Sequence, residues 1–285
     1  MTTVIEGRES GFKSNPDYRV TLEASPRRVR VAFNGETIAD STAAQLLFET
    51  RHVPVYYFPR GDVRMDLLTP TDHHTFCPYK GRAAYWTIRA GDRVSENAVW
   101  AYPDPYDEVP ALAGLVAFYW DRVDHWYEED EEIFVHPRDP YKRVDAIASA
   151  RHVRVILGGE TVAETRRAMF LFETRLPTRY YIPPEDVRMD LLVPSDKTTA
   201  CPYKGRARYW SARIGDKVFP DIVWGYPEPI AECAKIKGHL SFFNEQVDAI
   251  LVDGKEVKRP LTKWSKEWKD KDRTMPDLSG PVSRP

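Results

Sequence analysis

The 285 residues contain only three cysteines, Cys77, Cys201 and Cys233. None is spaced as Cys-x-x-Cys, and three thiols are too few for a disulfide framework, so paired-cysteine zinc sites and disulfide scaffolds are excluded. Free thiols in a reducing compartment follow, and with them an expected cytoplasmic location. No apolar run approaches the length of a membrane span, and the N-terminal segment MTTVIEGRESGFKSNPDYRV has no apolar signal region. Basic charge is not in surplus either: 41 Lys and Arg stand against 43 Asp and Glu, for a net charge of −2. Nucleic-acid binding, which draws on an excess of cations along one face, is therefore not expected. Aromatic residues are plentiful, and at 12% they bury enough surface to offset the chain entropy of folding. The length has room for two domains, each with a core of its own.

The chain is a tandem repeat. Placing Arg27 on Arg151, an offset of 124 residues, aligns two copies without a gap as far as Val123 on Val247. Roughly half the positions are identical. The unbroken blocks are DVRMDLL at 62–68 and 186–192, CPYKGRA at 77–83 and 201–207, and Trp100-Ala-Tyr-Pro against Trp224-Gly-Tyr-Pro. The period is a whole domain, far longer than a solenoid repeat, so the event was a domain duplication. Expected bounds are 1–140 for the first repeat with an N-terminal arm, 141–259 for the second, and 260–285 for a polar tail.

Each copy reads as strands. RVRVAF, Asn34-Gly35 and ETIA form a hairpin signal, answered in the second copy by VRVILGGETVA with Gly158-Gly159 at the turn. VRMDLL alternates with a period of two and predicts a strand, as do AAYWTIR, GLVAFYW and KGHLSFF. STAAQLLFE is read as a short helix or turn. The class is mainly β, with few short helices. The acidic run Glu128 to Glu132 is read as a solvated face, followed by a proline-bearing linker, VHPRDPYKR. In the tail, Trp264 and Trp268 are spaced so that one helical turn would dock both rings on the body; the competing reading is a frayed tail. A self-complementary pairing of the two repeats is expected if the duplicated ancestor dimerised.

These blocks together, a hairpin, D-V-R-x-D-L-L, T-x-C-P-Y-K-G-x-A-x-Y-W, W-x-Y-P and G-x-x-x-F, resemble the domain-of-unknown-function 427 family. The resemblance covers roughly residues 20–136 and 145–258. It implies a small β-roll akin to the β-tent of methionine sulfoxide reductase B, without the cysteine pairs of that metal site. It implies no activity. A phosphate-cradling glycine loop and a paired-aspartate metal motif are both missing from the chain.

Cys77-Pro78-Tyr79-Lys80-Gly81, with its twin at 201–205, is the sharpest chemical feature. Proline extends the preceding cysteine and glycine permits a tight turn, so the segment is expected to be a rigid loop. Lys80 then approaches Cys77, and Lys204 approaches Cys201; an ammonium there favours the thiolate a nucleophile needs. The competing reading is a packed, inert cysteine with its lysine in solvent. His73 and His74 lie just upstream, and His74 is a candidate proton-transfer partner in the first copy, where the second has Lys197 and Thr198. With Asp72 these histidines do not suggest a metal site, because neighbours on a strand point apart.

Binding candidates are Arg64 with Asp66 and Arg188 with Asp190, each pair on one face of the predicted strand, together with Glu49, Arg51, Glu173 and Arg175; the competing reading is charges on the solvent side of a strand. The aromatics Tyr79, Trp86 and Trp100, repeated as Tyr203, Trp210 and Trp224, complete the set. Together they describe one aromatic, thiol-containing cleft per repeat for a small molecule of unknown identity, with no cofactor indicated. The alternative is a non-catalytic ligand-binding or interaction module with structural cysteines. If one cleft alone is active, the histidines favour the first.

Overall fold

A computed structural model describes residues 9–265. The chain divides into two compact units, one ending at Asp139 and the other beginning at Pro140.

In the first repeat β1 (Val20–Ala24), β2 (Val29–Phe33), β3 (Glu36–Ser41) and β4 (Gln45–Glu49) lead to β5 (Val55–Pro59). The long strands β6 (Leu68–Cys77), β7 (Gly81–Ala90) and β8 (Arg93–Ala101) follow. β9 (Leu115–Phe118), β10 (His125–Glu128) and β11 (Glu131–Ile133) complete it. Seven strands form one sheet in the order β1-β4-β5-β9-β8-β7-β6, and four form another, β11-β10-β2-β3.

The second repeat contains β12 (Val144–Ser149), β13 (Val153–Leu157), β14 (Glu160–Thr165), β15 (Ala168–Glu173) and β16 (Arg179–Tyr181). Then come β17 (Leu192–Cys201), β18 (Gly205–Ile214), β19 (Lys217–Gly225), β20 (Leu240–Phe242), β21 (Ala249–Val252) and β22 (Lys255–Glu256). Its sheets run β12-β15-β16, β17-β18-β19-β20 and β14-β13-β21-β22. Ile182, next after β16, exchanges backbone hydrogen bonds of 2.7 and 2.9 Å with Leu240 of β20. That bridge joins the first two sheets into the seven-strand order of the first repeat. Both repeats therefore have one topology, mainly β, and the described helical residues are confined to short 3₁₀ segments.

The turn chemistry accounts for the hairpins. Asn34 and Gly35 have φ of 51° and 77°, and Gly158 and Gly159 have 61° and 83°. Two successive positive φ angles are what a type I′ turn demands. Three expectations need correction. QLLFE is strand β4, and QLLFE's counterpart AMFLFE is strand β15; the apolar residues bury on a sheet rather than along a helix. VRMDLL is not a strand, because Met65–Leu67 and Met189–Leu191 are 3₁₀ turns leading into β6 and β17. The acidic run is the β10–β11 hairpin, and its first member is buried: Glu128 accepts from the Tyr56 hydroxyl at 2.9 Å and pairs with Arg27 at 3.2 Å.

Strand alternation gives the seven-stranded sheet two apolar faces. Tyr56, Phe58, Trp86, Ile88 and Val99 face the four-stranded sheet, meeting Val29, Val31, Ile38 and Trp126. Their neighbours Leu47, Tyr57, Tyr85 and Ala117 point the other way and form a second cluster with Tyr102 and Leu112. Ile88 is wholly buried in the first cluster. Ile88→Ala is expected to destabilise the protein by about 2–5 kcal/mol, through lost burial and the cavity left behind. Chemical denaturation checks this; a loss below about 1 kcal/mol would show that the sheets are not packed as described.

Candidate functional site

The CPYKG loop closes the hairpin between β6 and β7, with Cys77 opposite Gly81, and its twin places Cys201 opposite Gly205. The two glycines have φ of 97° and 101°, and a side chain on them would begin 3.2 Å from the Asp104 carbonyl and 3.0 Å from that of Glu228. Glycine is therefore required, and the turn folds the lysine beneath the loop rather than into solvent. Lys80 and Lys204 are both buried. This overturns the expectation, attached to an inert cysteine, of a lysine in solvent.

Each lysine meets a carboxylate at the end of a strand. Lys80 Nζ donates to Glu49 Oε2, and the Tyr18 hydroxyl donates to Glu49 Oε1 at 2.7 Å. Lys204 Nζ donates to Glu173 Oε2 at 2.6 Å, and Lys142 Nζ lies 2.8 Å from Glu173 Oε1. Glu49 follows Leu47 by two residues on β4 and so shares its face of the sheet. Tyr18 and Lys142 occupy the same place under the 124-residue offset. Both also cover the motif tyrosine: Tyr18 stacks on Tyr79 with centroids 3.5 Å apart, and Lys142 lies 4.8 Å over the Tyr203 ring.

Burial alone would push the Glu173 carboxyl up, but Lys204 and Lys142 outweigh it and hold it below the usual range. Burial likewise opposes the charge on Lys204, yet Cys201 and Glu173 raise its affinity for the proton above the ordinary lysine value. Burial, reinforced by Glu49, pushes the Tyr18 hydroxyl far up, so it stays a donor. Glu173 and Lys204 therefore form a charged pair at neutral pH, not a reservoir of mobile protons.

Cys77 and Cys201 are partly buried. The Cys77 sulfur lies within electrostatic reach of the Tyr18, Tyr57 and Tyr102 hydroxyls; Cys201 reaches Lys204, Tyr181 and Cys233. Cys233 differs. It is fully buried, its thiol donates to the Tyr203 carbonyl at 3.2 Å, and burial pushes it up to about 11. The first repeat has Val109 at this position, also buried, so Cys233 packs as a small apolar residue.

On the same outer face of the sheet as each thiol stands an aromatic wall. Trp100 Nε1 donates to the Tyr57 hydroxyl at 3.0 Å, and Trp100 meets Tyr119 at 4.5 Å between centroids. The Tyr85 hydroxyl lies 2.7 Å from Thr75 Oγ1. The second repeat repeats this with Trp224 on Tyr181 at 3.2 Å, Trp224 against Phe243 at 4.4 Å, and Tyr209 with Thr199 at 2.9 Å. Trp100 and Tyr119 are only partly buried, whereas Trp224 and Phe243 are buried.

Other sequence candidates lie elsewhere. Arg64 forms a bidentate pair with Asp66 at 2.9 and 2.7 Å, as Arg188 does with Asp190, and all four side chains are exposed. They lean on one another at the surface because the 3₁₀ turn, not a strand, carries them. Trp86 is buried between the sheets, on the face opposite the thiol, and Trp210 occupies the equivalent place. His74 is three residues from Cys77 on a strand, an odd offset that turns it to the opposite face; its Nδ1 sits 3.1 Å from the Ala83 carbonyl. His73 meets the edge of Tyr85 at 4.5 Å, and Lys197 lies 4.8 Å over Tyr209 in the same position of the second repeat. Both cover a ring, so His-to-Lys divergence here leaves that packing intact.

A ~10 Å³ void lined by residues such as Asn244 and Ile250 and an open ~380 Å³ depression lined by Lys217–Pro220, Ile222 and Gln246 both lie away from the thiols. Among the described residues there is no cluster of three or more His, Cys, Asp or Glu able to hold a metal ion, and no helix is long and apolar enough to cross a membrane. Tyr18, Lys142, Tyr119 and Phe243 were not legible as site residues. They are not identical between the copies, and the first two precede the aligned region.

The model for a domain of unknown function (DUF427) matches the chain twice, over residues 21–129 and 145–253. The chain belongs to this family. It carries two copies of the DUF427 domain, as the motif blocks indicate. No curated protein matches the chain.

The two opposed shifts predict a stability window for the second DUF427 copy. Glu173 is held down in the folded state, so its contribution is present above about pH 4.3 and disappears as pH falls through its folded value. Lys204 is held up, so its contribution is complete below about pH 10.4 and disappears as pH rises through its folded value. Glu173→Gln leaves a buried ammonium without its counter-charge and is expected to cost about 3–5 kcal/mol at neutral pH. Unfolding curves from acid to alkaline pH check this; a variant as stable as wild type at neutral pH would contradict it.

Proposed function

We propose that each DUF427 copy is a small-molecule-binding module whose ligand lies on the outer sheet face, against the thiol and the aromatic wall. The observation that supports this reading most is the partial exposure of Cys77, Trp100 and Tyr119 on the outer cluster, where the counterparts Trp224 and Phe243 of the second repeat are buried. Large rings left half-exposed beside convergent polar groups are the usual composition of a ligand surface. The lysine–glutamate pair fixes the loop that carries the thiol.

Covalent chemistry at Cys77 and Cys201 is a second reading, favoured by the tight hairpin turn that sets each thiol three residues before a buried lysine. An ammonium beside a thiol stabilises the thiolate. In that reading the cysteine attacks and the lysine holds its charge, with neither histidine taking part. Non-covalent binding ranks first because each lysine is already committed to a carboxylate.

Two measurements separate these readings. Crystals soaked with a fragment library should collect fragments on Cys77, Trp100 and Tyr119; fragments gathering only elsewhere would overturn the binding face. Iodoacetamide labelling resolved by peptide mass spectrometry should modify Cys77 and Cys201 in the folded protein and spare Cys233. A labelling midpoint below the ordinary thiol value of about 8.5 supports thiolate chemistry, and a midpoint at or above it removes that reading.

A further inference from the structure

Among the described residues, a buried guanidinium covers the tryptophan of the aromatic wall in the second repeat and not in the first. Arg179, at the start of β16, lies 5.5 Å over Trp224 and 5.3 Å from Trp264, so its guanidinium sits between two indoles. Glu245 holds that guanidinium by two hydrogen bonds of 2.7 Å, and both side chains are buried. Residues 259–265 strap the arrangement down. Thr262 donates to Glu245 Oε1 at 2.6 Å, Gln246 donates to the Trp264 carbonyl at 2.9 Å, and Arg259 donates to the Val247 and Asp248 carbonyls at 2.8 Å. Trp264 also meets Phe243 at 6.3 Å. Trp268, expected to dock beside it, lies outside the described residues.

Among the described residues, the first repeat has the same wall without that guanidinium–carboxylate pair. Val55 pairs with Leu47 as Arg179 pairs with Leu171, so valine stands where the guanidinium originates. Asp121 takes the position of Glu245; it is exposed and acts on the Tyr119 hydroxyl. The ring and cation contacts of Trp100 and Tyr119 are with Tyr57, Tyr85 and Arg122, and Arg122 donates to the Glu96 and Asn97 carbonyls at 2.8 and 3.1 Å. A carboxylate and an indole face are thus retained, but among the described residues the one guanidinium on this wall, Arg122, covers the Tyr119 ring, and none takes the place that Arg179 holds over Trp224.

We propose that the first repeat takes a planar aromatic cation, an amidinium- or guanidinium-bearing ring, on Trp100 with its charge toward Asp121, and that the second repeat is closed to such ligands by Arg179 and Trp264. This rests on the binding face proposed above and names its ligand class. A planar cation over an indole is attracted by the ring's negative face, and the attraction grows as water is excluded. Arg179 and Trp264 are tethered at their site, where an effective concentration in the millimolar range disfavours replacement by a dilute ligand.

Titration of the full chain with 4-fluorobenzamidine, followed by fluorine NMR, tests this, with neutral 4-fluorobenzamide as control. The expected result is one bound equivalent of the cation, weakened about tenfold or more by Trp100→Leu and also weakened by Asp121→Asn. The paired substitution Val55→Arg and Asp121→Glu transplants the second repeat's filling and is expected to abolish binding without altering Trp100 or Tyr119. Thermal unfolding of each variant confirms that it is folded, and Asp121→Asn at an exposed site serves if Trp100→Leu is not. Equal binding of the neutral amide, lost in Trp100→Leu, overturns the cation and leaves the binding face standing. Binding of the cation that survives both Trp100→Leu and the transplant, or no binding at all, overturns the proposal; the fragment soak then decides separately whether the face binds anything.

Discussion

A buried carboxylate that accepts from two donors organises each repeat around its loop. Glu49 and Glu173 end β4 and β15, and each takes one hydrogen bond from the loop lysine and another contact from the residue that precedes the first strand. A charge in such surroundings is tolerated only when paired and fully hydrogen-bonded. Removing any member leaves the others desolvated and unsatisfied, so the three segments are locked to one geometry. That lock fixes the turn through Gly81 or Gly205, and the turn in turn sets the thiol beside Tyr57 or Tyr181. The wall of Trp100 and Tyr119 belongs to the same outer cluster, so its position follows from the same sheet face.

The duplication acts as an internal comparison. Where the copies differ in residue but not in role, the role is structural: His73 and Lys197 both cover a tyrosine ring, Tyr18 and Lys142 both satisfy the glutamate, and Val109 and Cys233 both fill the core. Where the copies differ in role, function is free to have diverged. Arg179 and Glu245 replace Val55 and Asp121 and bring a buried ion pair onto the second wall. The half-buried Trp100 and the buried Trp224 are the visible consequence.

Much of the fold was legible because it is written in local chemistry. The Asn-Gly and Gly-Gly turns, the alternating strands and the ungapped offset all express backbone rules that operate within a few residues. The misreadings have physical causes. VRMDLL has a period of two, yet the sheet begins only at Leu68, and a 3₁₀ turn exposes Arg64 and Asp66 to pair with each other. STAAQLLFE lacks strict alternation because β4 is buried on both faces, with Leu46 on one and Leu47 on the other. In the site, Cys77, Lys80, Glu49 and Trp100 were marked by identity between the copies. Tyr18, Tyr119 and Lys142 were not, since hydrogen-bonding or packing capacity, not residue type, is what their positions retain. Trp86, next in sequence to Tyr85, lies on the opposite face of the sheet from the thiol.

The most direct test of this account is nitrogen-detected NMR of the lysine ammonium groups at neutral pH. Ammonium protons in water exchange too fast to be seen, whereas a buried, hydrogen-bonded ammonium retains them. The account predicts protected resonances from Lys80 and Lys204, the first lost in Glu49→Gln and the second in Glu173→Gln. Lysine signals that all exchange freely, or protected signals indifferent to both substitutions, would contradict it.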